Sequence, residues 1–151
     1  MGMRMLILAA SIYALLAGST MSYIVKVSGA GSNELNGLYQ MQDPLVIPSG
    51  FTKTCVKMRW NDEMMWDQLT NKRTPWFEKQ DGAYIYYNRG DSRWWIDDSD
   101  GQGIYIVECQ GEPSLPPASG YQMLTSAEPP APMLEILEVP GAQQQQYDGE
   151  L

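Results

Sequence analysis

Histidine is absent from all 151 residues. That removes the commonest general base, the usual activator of Ser and Cys nucleophiles and the most frequent zinc ligand, so the composition argues against ordinary hydrolase designs. Cationic side chains are also scarce. Ten Lys and Arg stand against 18 Asp and Glu, for a formal charge of −8. This is the wrong sign for a nucleic-acid partner, whose binding draws on clustered Lys and Arg. Cysteine is limited to Cys55 and Cys109, enough for one disulfide or two thiols and too little for a zinc site unaided by His. The apolar run Met5 to Ala17 is shorter than the roughly 20 residues that cross a bilayer.

What is present is aromatic and alternating. A hydrophobic content of 44% with five Trp and nine Tyr marks a globular chain, and such aromatics favour half-buried pleated surfaces. Arg4, the apolar run and the small residues Gly18 and Ser19 form a signal-peptide-like leader over residues 1–19. The reading is a secretory or organellar address, with a membrane partner only if the leader is retained. Met21 directly precedes the first strand, so a start there would give a cytosolic product with reduced thiols.

Period-two alternation predicts strands over residues 22–28, 38–41, 76–79, 83–87, 93–97 and 104–108, with a closing segment Tyr121 to Leu124. Asn36-Gly37, Asp81-Gly82 and the run Asn88 to Asp91 supply turns. The fold class is therefore mainly β: one antiparallel meander or sandwich-like domain over residues 22–126, with an insert at about 42–73. Within the insert, Phe51 to Trp60 reads as an added strand. Thr54, Val56, Met58 and Trp60 share one face, and Lys53, Cys55, Lys57 and Arg59 share a wet basic face. Asn61-Asp62-Glu63 can cap a short helix carrying Met65, Trp66 and Leu69. From Ala127 the chain turns to Pro, Gln and acids with no Lys or Arg, which reads as a flexible tail over residues 127–151. Its sticky stretch, Met133 to Val139, is either a helix or strand for a partner or a segment that docks on its own domain.

Val27-Ser-Gly29-Ala-Gly31, Asn36-Gly37-Leu-Tyr39, Pro75-Trp-Phe77, Tyr84-Ile-Tyr86, Trp95-Ile96, Tyr105 and Pro116-Pro117 before Gly120-Tyr121 together resemble a small β repeat recurrent in algal and other protist proteins. The resemblance spans roughly Tyr23 to Gln122 and implies a compact antiparallel unit serving interaction or structure, with no enzymatic activity. It departs at Gln42 to Arg73, where the family has only a short connection. That makes the insert the place for any function peculiar to this chain.

Four features point to chemistry. Arg89-Gly90-Asp91 at a hairpin tip matches a receptor-read tripeptide and equally matches turn chemistry. Asp98 and Asp100 in an acidic turn are the candidate ligands for a hard cation, although Cys109 occupies the position where an EF-hand would place its Glu. Trp94 and Trp95 point to opposite faces of one strand. Trp95 is expected inward, and Trp94 outward with Trp76 or Tyr87 nearby as a shelf for a sugar ring. No motif joins an acid, a nucleophile and an oxyanion donor, and no cofactor is implied. The candidate surface is Trp76, Tyr87, Trp94, Lys53, Lys57, Arg59, Arg89 and Asp91. The function expected is a non-enzymatic interaction or structural module with a protein partner. An accessory subunit of a membrane or organellar assembly, and a secreted carbohydrate-binding protein, stand as the alternatives.

Overall fold

A computed structural model describes residues 21–111 and 113–140. The expected leader and the segment 141–151 lie outside the described residues. Among the described residues, eight strands form one antiparallel sheet: β1 (Met21–Ser28), β2 (Gly37–Gln42), β3 (Trp76–Lys79), β4 (Tyr84–Asn88), β5 (Arg93–Asp97), β6 (Gly103–Glu108), β7 (Gln122–Met123) and β8 (Met133–Pro140). Their order across the sheet is β7-β6-β5-β4-β3-β2-β1-β8. The mainly β meander is thus observed, as one sheet curled into a half-barrel rather than two stacked sheets. No described helix is long and apolar enough to cross a membrane.

The curl follows from which side chains point inward. Val25, Val27, Tyr39, Phe77, Ile85, Tyr87, Trp94, Ile96, Tyr105 and Val107 alternate along their strands into one buried cluster on the concave side. The convex side carries a second, smaller cluster: Trp76, Tyr84 and Tyr86 from the sheet, with Phe51, Cys55 and Trp66 from the insert above them. β4 is therefore buried on both faces, and so is most of β5.

Three expectations are corrected here. The added strand at Phe51 to Trp60 is helix α1 (Ser49–Met58), followed by α2 (Asp62–Leu69). Phe51 and Cys55, four residues apart, both join the convex aromatic cluster, with Ile47 packed against it just before the helix, a spacing that a helix puts on one face and a strand does not fit better. Trp94 is the fully buried member of its pair and Trp95 the partly exposed one, because the helices cover the convex face only in part. Trp94→Ala should accordingly cost about 3–5 kcal/mol and Trp95→Ala clearly less, measured by denaturant unfolding. The tail, finally, is folded as far as Pro140. Met133–Pro140 pairs with β1 over its whole length, from Met21↔Pro140 to Ser28↔Met133, so the sticky stretch docks on its own domain.

The connection into β8 crosses the open side of the half-barrel and is fastened there. The Tyr105 hydroxyl donates to Glu128 O at 2.6 Å and accepts from Ser32 N at 3.1 Å. Glu128 N donates to Ser32 Oγ at 3.0 Å, and Gly31 N to Pro130 O at 2.9 Å. A Cβ at Gly31 would stand 2.0 Å from Pro129 O, so the backbones approach this closely only because residue 31 has no side chain.

Cys55 and Cys109 are free thiols on opposite faces of the sheet. Cys55, expected to be wet, is only 1% exposed, and burial pushes its thiol above the ordinary value. Cys109 is the more open of the two. A thiol reagent added to the native protein should therefore modify Cys109 first and Cys55 only on unfolding; mass mapping of the labelled peptides checks the order.

Candidate functional site

The insert is held against the β5–β6 hairpin by backbone contact. A Cβ at Gly50 would meet the Tyr84 ring at 2.8 Å, and one at Gly101 would meet Gly50 O at 2.2 Å. Only glycines let α1 settle this close. Thr54 Oγ1 donates to Asp100 O at 3.1 Å or Gly101 O at 3.0 Å, and Lys53 Nζ donates to Ser99 O at 2.9 Å. The second helix is fixed at both ends. Asn61 Oδ1 accepts from Met64 N at 2.8 Å at its start. Arg89 donates from Nε to Gln68 O at 3.1 Å and from Nη2 to Asp67 O at 2.7 Å at its end.

With the insert fixed in this way, its outer corner is apolar. Val56 is 71% exposed, Met58 52%, Trp60 49% and Met64 57%. The corner itself is a Schellman-type stop. Trp60 N donates to Cys55 O at 2.9 Å and Arg59 N to Val56 O at 3.2 Å. The left-handed residue there, normally glycine, is Arg59 with φ 59°, a choice that costs about 1 kcal/mol relative to glycine. Helix start, helix stop and cap therefore combine to hold four apolar side chains in water beside Lys57 and Arg59. Neither of those cations makes an ion pair among the described residues. Beside the corner runs an open trough of about 420 Å³ between Thr54, Lys57 and Met58 on α1 and Asp98, Asp100 and Gln102 on the hairpin.

The other expected surface residues do not join it. Trp76, Tyr87 and Trp94 are buried, which removes the aromatic shelf: Trp76 donates to Asp43 O and the Tyr87 hydroxyl to Gly111 O. Arg89 caps α2, and Asp91 accepts from Arg93 N at 3.1 Å and from Trp95 Nε1 at 2.9 Å, so both charged members of the tripeptide brace the fold. Asp98 Oδ1 accepts from Asp100 N and Gln102 N, each at 2.9 Å, while Asp100 lies 3.4 Å from Lys53. The basic residues Lys53, Lys57 and Arg59 all stay exposed, Lys53 with its ammonium drawn to the hairpin. Sequence reasoning missed Val56, Met58, Trp60 and Met64 because a strand would have buried the first three. The four-residue spacing of Phe51 and Cys55 on α1 was the signal that turns them outward.

No family model, curated protein or solved structure matches this chain.

Proposed function

We propose that this is a non-enzymatic docking module that presents the α1–α2 corner to an apolar groove with an acidic rim on a partner protein. The observation that carries the reading is the group of four apolar side chains held about half exposed or more by a costly left-handed Arg59. Trp and Arg are the residues most enriched among interface hot spots, and Lys57 and Arg59 match an acidic rim. A lipid surface fits less well. Asp62 and Glu63 open α2 right beside Trp60, and an anionic membrane would repel them together with the net charge of −8. An interaction role is also what the resemblance to the protist β repeat implies, and the accessory-subunit reading places the same corner in a lasting assembly.

The test is a photo-crosslinking side chain at position 64 in protein from its native source. One discrete adduct is expected, lost in Trp60→Ala, a change that should weaken docking by about 2 kcal/mol or more while shifting unfolding by less than about 0.5 kcal/mol. The same reporter at Gln110 should give no adduct. Equal crosslinking at both positions, or indifference to Trp60→Ala, would overturn the reading.

A further inference from the structure

Among the described residues β8 is the last strand of the sheet on its side, with β1 as its only strand neighbour. Which of its backbone groups face outward is fixed by one bond: Leu134 N donates to Ala118 O at 2.8 Å, away from β1. Backbone direction alternates along a strand, so Ile136 and Glu138 also point their N–H and C=O groups outward. No hydrogen bond among the described residues reaches either outward N–H. The open stretch is short, bounded by the Ala118 contact at one end and by Pro140, which has no N–H, at the other. Unpaired edge groups of this kind are the template for strand addition.

The charge of the edge selects what can be added. All ten Lys and Arg of the chain stand at or before Arg93, so no cation occurs in β7, β8 or the loops around them. β8 carries Glu135 and Glu138. Glu135 lies across from Lys26 on β1, whereas Glu138 lies across from Tyr23 and has no cation opposite. A second copy paired edge to edge would line the new seam with four glutamates and no cation from either edge strand. We propose that β8 accepts an extended segment of a partner protein carrying Lys or Arg, added to the sheet beside Ile136 and Glu138. This site is independent of the α1–α2 corner, which lies over the convex cluster of β3 and β4.

A capped peptide Val-Lys-Val-Lys-Val-Thr and its counterpart with Glu in place of Lys serve as probes on the full chain, read by amide hydrogen exchange. The Lys peptide should slow exchange at Ile136 and Glu138 and leave Leu134 unchanged, while the Glu peptide should do neither. Glu138→Lys should weaken the Lys peptide roughly fivefold. Glu138→Pro removes one outward N–H but no rung to β1 and should abolish protection; Trp60→Ala should not alter it. The proposal is overturned by equal effects of the two peptides or by no effect of either. Protection already present in the protein alone overturns it as well: if it grows with protein concentration the occupant is a second copy, and if it does not the occupant is the chain itself.

Discussion

Raising the pH from about 4 to about 8 should cost the folded protein roughly 4 kcal/mol through one carboxyl group, and Asp97→Asn should remove that loss. Asp97 sits opposite Tyr84 on the convex face, at the irregularity where β5 meets β6, with the first turn of α1 pressed on the Tyr84 ring. Burial there pushes its carboxyl up to about 7; the hydrogen bond from the Tyr84 hydroxyl, at 2.9 Å, pulls the other way, and neighbouring Asp98 adds to the rise. The second oxygen, Oδ1, is buried without a partner among the described residues, so ionisation there goes uncompensated. The direction follows from the two states. Between the unfolded value near 4 and the folded value near 7, the native chain holds a proton that the unfolded chain has released, so stability is greatest at the acid end and falls as pH rises. Above about 7 both states are ionised and the loss is complete. Asparagine keeps the shape and still accepts from Tyr84. Denaturant melts of both proteins across this range provide the check, and parallel pH profiles would show that Asp97 is not the group responsible.

A chain shortened at Ser126 should lose its cooperative unfolding transition altogether. The cut removes β8 and the crossing segment, and with them the outer of the two strands that flank β1, paired to it at all eight residues. Leu134 and Val139 are buried and Ile136 packs on the concave core. Withdrawing them uncovers apolar surface on β1, at roughly 1.5–3 kcal/mol for each buried aliphatic side chain. The acceptors of the Tyr105 hydroxyl and of Gly31 N go at the same time. The sum rivals the roughly 5–15 kcal/mol that holds a small domain together. Circular dichroism during heating is the measurement, and a sharp transition in the shortened chain would show that β8 is dispensable.

How far the sequence could be read depended on whether its signals were local. β1 shows Tyr23, Val25 and Val27 on one face, and α2 announces itself through the cap at Asn61; both are legible because the deciding residues are neighbours in sequence. The Trp94–Trp95 pair was undecidable by alternation, since β5 is covered on both faces and each face offers a burial site. For residues 51–60, period two and a four-residue stripe coexist in the same letters. The stripe prevails because Trp76, Tyr84 and Tyr86 need a cover, which no window of the insert reveals. β8 was concealed by the prolines around it and by a partner at the far end of the chain. The exposed α1–α2 corner inherited the error in α1: reading the helix as a strand exchanges inside for outside at Cys55, Val56 and Trp60.

The rung Met21↔Pro140 sets the two ends of the domain side by side on adjacent strands. A pull applied between them would open the β1–β8 ladder from that rung, breaking its hydrogen bonds one after another instead of loading them together in shear. The domain should therefore yield at low force along this axis, and its entry and exit lie close enough for it to be carried as a cassette within a loop of a larger protein.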